Sequence, residues 1–247
     1  MLEFLEPDGI PPRGTLLVVP GRGEQAEVYK RFGSRIAADA YRVDVLSDPT
    51  TDPAQTRAEI EQRVQAVDAV HPLVLVGSDT GAVFAAGLLA NDELSAVAGL
   101  ILAGLPTSDA ATTAPTAGSW DEELDARTTC PTHRGRISAE LVAPGALYGP
   151  VPLDWLERAN LAAIQTPVLA IHGQDDPISS LDAARERYAS VANLEFVSIA
   201  GARHDALNDQ SHRSVAATIV LWLERLKLNG AELTAIATAE LVGYGVA

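Results

Sequence analysis

Residues 73–81 read L-V-L-V-G-S-D-T-G, an apolar run that passes directly into Gly-x-Asp-x-Gly. Four aliphatic residues in succession suit a strand buried on both faces. The glycine pair suits a sharp strand-to-helix turn. Small residues at Gly77 and Gly81 let the chain hold a strained backbone at the apex and let the next helix lie close to the sheet. The apex falls on Asp79, with Ser78 one position before it, where its side chain is expected to point elsewhere. A carboxylate thus stands where such a turn usually presents a hydroxyl.

Short apolar runs alternate with helical stretches on either side of this turn, which predicts a mainly parallel sheet with helices on both faces. Strands are expected over 15–19, 41–46, 73–76, 97–103, 167–171 and 194–199. Helices are expected over 24–38, 53–69, 80–90, 181–190 and 211–227, the second with Asp52 as N-cap and Pro53 in its first position. Residues 105–165 break the alternation. They open Ala/Thr/Pro-rich over 107–118, carry Trp120, Tyr148 and Trp155, and have a helical reading over 154–161. Excursions of that length are usually functional lids or disordered segments, and this one is read as a small lid. The whole of 1–247 is read as one domain, with a C-terminal extension over 229–247, weakly helical over 232–242. That extension is expected to pack on the body or against a second copy in a homodimer.

Composition narrows the function classes. The 247 residues are 47% hydrophobic, enough for a substantial core, and the net charge of −15 opposes a nucleic-acid groove or an anionic membrane surface. The single cysteine, Cys130, allows no internal disulfide. The N-terminus lacks the basic and apolar regions of a signal peptide, and no apolar run approaches the roughly 20 residues of a membrane helix. The expectation from composition is a soluble, cytoplasmic, acidic protein. The histidines show no metal-ligand spacing.

Three more segments join the elbow. The first core strand runs into V-V-P-G-R-G-E, a glycine-rich turn over Gly21–Gly23 whose backbone N–H groups suit a developing negative charge. The strand ending near residue 171 runs into H-G-Q-D-D-P-I, placing Asp176 three residues beyond Gly173. The strand ending near residue 199 runs into A-G-A-R-H-D, placing His204 in the next such loop. All lie at the carboxyl ends of strands, where ligands gather in open α/β sheets. In that order the motifs resemble the α/β-hydrolase fold over roughly residues 15–227. The resemblance implies Asp79 as nucleophile, Asp176 as the acid that orients the histidine, and His204 as the base. The oxyanion hole would use the backbone N–H groups of Thr80 and Arg22.

An aspartate at the apex is similar to the epoxide-hydrolase and haloalkane-dehalogenase branch. This implies attack on an sp³ carbon to give an alkyl ester, then hydrolysis of that ester by water activated at His204. Two features depart from the branch: Thr80 stands where dehalogenases commonly carry tryptophan, and Pro20-Gly21-Arg22-Gly23 replaces a His-Gly-x-Pro turn. The leading expectation is a cofactor-independent hydrolase of an epoxide or ester-like molecule, such as a secondary metabolite. The alternatives are a cyclase, lyase or dehydratase using Asp79 and His204 as acid and base, with the Asp79 pKa raised toward neutrality, and a binding protein without turnover. Tyr148, His133, Arg134 and Trp155 are the lid residues expected to meet substrate. Arg22 reads either as a substrate-carboxylate contact or as a surface ion pair, and Asp205 as a turn residue.

Overall fold

The computed structural model describes residues 1–107, 118–137 and 140–234. Most of the Ala/Thr/Pro-rich start of the lid, and most of the expected helix over 232–242, lie outside the described residues. Seven strands form one sheet: β1 (Leu2–Phe4), β2 (Gly14–Val19), β3 (Tyr41–Val45), β4 (Leu73–Ser78), β5 (Val97–Ala103), β6 (Val168–Gly173) and β7 (Leu194–Ile199). Their order is β1-β3-β2-β4-β5-β6-β7, and every neighbouring pair is parallel except β1 with β3. The short edge strand β1 was not among the expected elements. Three residues carry too little periodicity to announce a strand, and its place is fixed by Phe4 packing onto Gly33.

The central strands divide their side chains between two cores, as the period-two geometry of a strand requires. Leu16, Val18, Val74, Val76, Ile101, Ala103, Leu169 and Ile171 face one core. There they meet α1 (Lys30–Ala37) and the long C-terminal helix, which spans His212–Asn229. Leu17, Val19, Leu75, Leu100, Leu102, Val168 and Ala170 face the other. There they meet α2 (Pro53–Val64), α3 (Thr80–Ala90) and the helix Leu181–Tyr188. Asp52 caps α2 by accepting from the Gln55 N–H, with Pro53 at the first turn. The helix stops at Val64 rather than 69, since Val67 is fully exposed and no apolar face continues. The helix expected over 24–38 is shortened to a 3₁₀ turn, Ala26–Tyr29, followed by α1. Glu24 instead pairs its backbone with Val142 and turns its carboxylate back to the glycine-rich turn.

Between β5 and β6 the described chain forms α4 (Trp120–Arg127), α5 (Pro131–Ile137), a 3₁₀ turn at Ala146–Tyr148 and α6 (Leu153–Arg158). Ser119 and Glu122 close a capping box on α4. The helices after β6 and β7 are then α7 (Leu181–Tyr188) and α8 (His212–Asn229). No helix among the described residues is long and apolar enough to cross a membrane.

Close packing of α3 on the sheet rests on Gly81. A Cβ there would lie 2.3 Å from the carbonyl oxygens of Val19 and Pro20. Gly81→Ala is expected to cost about 3 kcal/mol, the upper end of ordinary overpacking. Gly87→Ala on the same helix meets nothing nearer than 3.6 Å. It should be neutral or add roughly 0.5–1 kcal/mol through helix propensity. Urea unfolding of the two variants beside the parent measures the difference.

Candidate active site

The elbow forms as its glycines require. Asp79 sits between β4 and α3 at φ +50° and ψ −124°, a conformation costly for a residue with a side chain. Its N–H donates to the Ala103 carbonyl at 3.0 Å and its carbonyl accepts from Ala82 at 2.9 Å, so the apex is pinned from both sides. A Cβ on Gly77 would lie 2.4 Å from the Ala82 Cα. The Ser78 hydroxyl meets the Tyr29 phenol, while the histidine addresses Asp79.

Loops following β6 and β7 bring Asp176 and His204 to this apex. His204 Nε2 lies 3.2 Å from Asp79 Oδ1, and His204 Nδ1 lies 2.8 Å from Asp176 Oδ2. The other Asp176 oxygen accepts from the N–H groups of Ile178 at 2.8 Å and Ser179 at 3.1 Å, which fixes the carboxylate. Its neighbour Asp175 is exposed. The glycine-rich turn supplies a fourth member. The Arg22 N–H donates to Asp79 Oδ2 at 3.1 Å, Nε to the same oxygen at 2.8 Å, and Nη2 to Oδ1 at 2.7 Å. Nη1 reaches the Gly149 carbonyl. Arg22 is 6% exposed, so of its two readings the surface ion pair is replaced by a buried, two-pronged pair with the apex carboxylate. Thr80 follows the apex at the start of α3, buried, with no hydrogen-bond partner for its hydroxyl among the described residues.

Charge in this cluster is strongly biased. Burial alone would raise the Asp79 carboxyl, but the Arg22 guanidinium and His204 outweigh it and hold it well below the usual range. This corrects the expectation of a value raised toward neutrality. Burial would lower His204, yet the charge and hydrogen bond of Asp176, together with Asp79, push it up to about 10. Burial opposes ionisation of Asp176 too, and the His204 charge overcomes it, leaving Asp176 below its ordinary value. At neutral pH the cluster is two carboxylates, one guanidinium and one imidazolium, with both ring nitrogens donating.

A second buried layer supports the first, centred on Arg127 of α4, which is 0% exposed. Its Nη1 donates to Glu24 at 2.9 Å and lies 3.5 Å from Asp205, while Nε and Nη2 grip Glu123 at 3.1 and 3.0 Å. Glu24 in turn accepts from the Gly21 N–H at 3.0 Å and the Tyr29 hydroxyl at 2.5 Å. Burial and the Asp205 charge push the Glu24 carboxyl up to about 7, against the pull of Arg127. Asp205 is therefore a buried charge partner rather than a plain turn residue. Asp209, further along the histidine loop, accepts from Thr128, Thr129, Cys130, Arg203 and Gln210. Glu24, Glu123, Arg127 and Asp209 escaped the sequence reading. The spacing of Glu123 and Arg127 on one helix was the only local signal for them.

The lid candidates lie as follows. His133 Nε2 is 2.9 Å from Asp205 Oδ2 and buried. Arg134 pairs with Asp121 and Asp125 on α4. Tyr148 packs against Ala126, Leu147 and Ile178. Trp155 packs against Phe84 with ring centres 5.0 Å apart and ring planes tilted by 56°. The structure shows no hydrogen bond from any of the four to Asp79 or His204. An open cleft of about 770 Å³ adjoins the glycine-rich turn, lined by Gly23, Glu24, Asp48, Gln55, Trp120 and Val142 among others. Asp79 and His204 are only 2% and 1% exposed. Among the described residues no group of three His, Cys, Asp or Glu side chains has metal-holding geometry.

No protein-family model and no curated protein sequence matches the chain. Solved structures do. A soluble variant of monoglyceride lipase from Saccharomyces cerevisiae, in complex with a substrate analogue, is similar over 90% of this chain and 90% of its own, with a TM-score of 0.70 and 18% identity. A monoacylglycerol lipase from Paleococcus ferrophilus is similar over 94% of this chain and 98% of its own, with a TM-score of 0.69 and 18% identity. The thioesterase domain of the curacin biosynthetic pathway is similar over 88% and 93%, with a TM-score of 0.61 and 16% identity. The chain has the α/β-hydrolase fold.

The electrostatics generate a prediction. His204, raised, contributes stability that is complete below about 6.5, the ordinary imidazole value, and is lost as pH climbs through about 10. Asp79 and Asp176, lowered, contribute stability that is present above their ordinary value of 3.8 and is lost as pH falls below it. Nitrogen NMR at pH 8, where an ordinary histidine is neutral, should therefore show His204 doubly protonated. Asp79→Asn should lower its titration midpoint. A neutral His204 ring at pH 7 would refute the charge assignment.

Proposed function

We propose that the chain is a cofactor-independent hydrolase that opens an epoxide through a covalent ester on Asp79. The observation that carries this reading is the division of labour between the two oxygens of that carboxylate. Oδ2 rests on the Arg22 N–H and Nε, in the turn expected to form the oxyanion hole, while Oδ1 faces His204 and is freed for substrate once Arg22 Nη2 leaves it. An oxygen held in an oxyanion site while its twin is presented to substrate is what an alkylated carboxylate intermediate requires. A carboxylate kept ionised is a competent nucleophile and a poor acid, so the pairing with Arg22 argues against Asp79 as a proton donor.

The protonated histidine fits the same cycle. Oδ1 attacks a ring carbon, the epoxide C–O bond breaks, and the alkoxide takes the Nε2 proton of His204. Esterification removes the Asp79 charge, one of the two anions that hold the imidazolium. The imidazole, now neutral and still oriented by Asp176, takes a proton from water as that water attacks the ester carbonyl carbon. Charge developing on Oδ2 meets the Arg22 N–H, with the Thr80 N–H as the further donor. Collapse releases the diol and restores the Asp79 carboxylate and the imidazolium. His204 thus serves as the acid of the first half and the base of the second, and no lid tyrosine is needed for protonation. Because the triad needs neither redox chemistry nor a metal-bound water for these steps, the cycle closes with water as sole co-substrate.

A single turnover of styrene oxide in ¹⁸O-water should leave the heavy isotope in the Asp79 carboxylate. Asp79→Asn should lower turnover at least about 1,000-fold, and wild type quenched in acid during a single turnover should carry added protein mass equal to one substrate. Epoxide turnover without label in Asp79, or p-nitrophenyl ester turnover that survives Asp79→Asn, would remove Asp79 as nucleophile. Tight ligand binding with silence across epoxides, haloalkanes and esters would favour a binding protein. The mutual satisfaction of Arg22 and Asp79 in the closed site is the feature that suits that second reading.

A further inference from the structure

Arg22 contributes more to this site than a backbone N–H. Its guanidinium occupies both oxygens of Asp79, and while Nη2 holds Oδ1 that oxygen cannot attack a carbon. Attack therefore requires at least the Nη2 contact to break, inside a cluster where Arg22 is 6% exposed. A guanidinium deprived of its carboxylate in such a place is costly unless another anion takes over. The protein offers no replacement among its described neighbours. Glu24 is filled by Gly21, Tyr29 and Arg127, and Asp48 by Gly23 and Thr50. The Gly149 carbonyl is an acceptor without charge. Long-range attraction does not supply an anion either, since the chain carries a net charge of −15.

Resting on the reading of Asp79 as nucleophile, we propose that Arg22 is the specificity-determining residue of this site and that the substrate carries a carboxylate, which takes over the Arg22 fork as Asp79 is released to attack. The planar edge of Nη2 and Nε that Asp79 now fills accepts a carboxylate with two parallel hydrogen bonds, a geometry that an amide or an uncharged ester matches poorly. The substrate class is then an epoxy acid and the product a dihydroxy acid. The inhibitory pair and the recognition contact are the same guanidinium in its two states.

The test separates this assignment from the nucleophile reading by measuring binding apart from turnover. Calorimetric titration of Asp79→Asn with 3-phenylglycidate and with 3-phenylglycidamide, and with the 2,3-epoxyhexanoate acid–amide pair, should show at least a tenfold preference for the acids. Arg22→Gln in the same background should abolish that preference. Arg22→Lys, which keeps the charge and the bulk but loses the fork, should retain only part of it. On wild type the acids should show the higher kcat/KM, with Arg22→Lys raising KM more for acid than for amide. Equal turnover of acid and amide would leave the nucleophile reading standing and overturn this one. Acid preference in binding without any turnover would do the reverse. Absence of a preference, whether both members of a pair bind or neither does, overturns the assignment of Arg22.

Discussion

The two-pronged pair between Arg22 and Asp79 is the constraint on which the rest of the site depends. A hydroxyl at the apex of a strand-to-helix elbow can be buried at little electrostatic cost, whereas a carboxylate cannot. Desolvation drives Asp79 toward its neutral form, and only the guanidinium and the imidazolium beside it reverse the sign. Arginine in the turn after β2 and aspartate after β4 are thus coupled choices, made on two neighbouring strands whose ends the sheet brings together. Removing either would strand the other as a buried charge, which typically costs about 3–5 kcal/mol.

Behind that pair, the same problem is solved a second time with the signs reversed. Arg127 is a buried cation that needs carboxylates, and it takes them from three separate parts of the chain: Glu24 beside the glycine-rich turn, Glu123 on its own helix, and Asp205 beside His204. The result ties α4 to the glycine-rich turn and to the histidine loop by charge, beside the apolar contacts of Leu124 and Ala126. It also explains why the N–H groups of His204 and Asp205 donate to the carbonyls of Ala126 and Arg127, as the lid helix and the histidine loop share backbone hydrogen bonds.

How far the sequence could be read follows from these two layers. The six longer strands and the elbow were visible because they depend on local pattern: aliphatic runs, a glycine at each side of the apex, a capped proline at the start of α2. The order Asp79, Asp176, His204 was legible because strand ends converge in a parallel sheet. The fork from Arg22 was not, since a backbone donor and a side-chain fork leave the same letter in the sequence. Arg127 was harder still. Its partners lie up to 103 residues away in sequence, and nothing in an eight-residue helix indicates that its last residue faces inward. Edge strand β1 was lost for the opposite reason, being too short to show a period.

Asp209 gives the site a fixed side and a moving side. Its carboxylate fastens the histidine loop to the α4–α5 junction through several donors, and Asp205 fastens the same loop to His133 and Arg127. That wall has no single bond whose rupture would admit a ligand. The other side rests on the Arg22 guanidinium, which holds Asp79 through two hydrogen bonds and the Gly149 carbonyl through a third, and an unpaired side chain changes rotamer in nanoseconds or less. Opening is therefore a matter of population rather than of large-scale motion. If freeing the guanidinium costs about 4 kcal/mol, within the range for buried pairs, about one molecule in a thousand stands open at any moment. A ligand that only waits for that state binds about a thousandfold more weakly than its own contacts allow. One that replaces Asp79 on the guanidinium escapes most of that loss, so the closed state itself acts as a filter on what can bind.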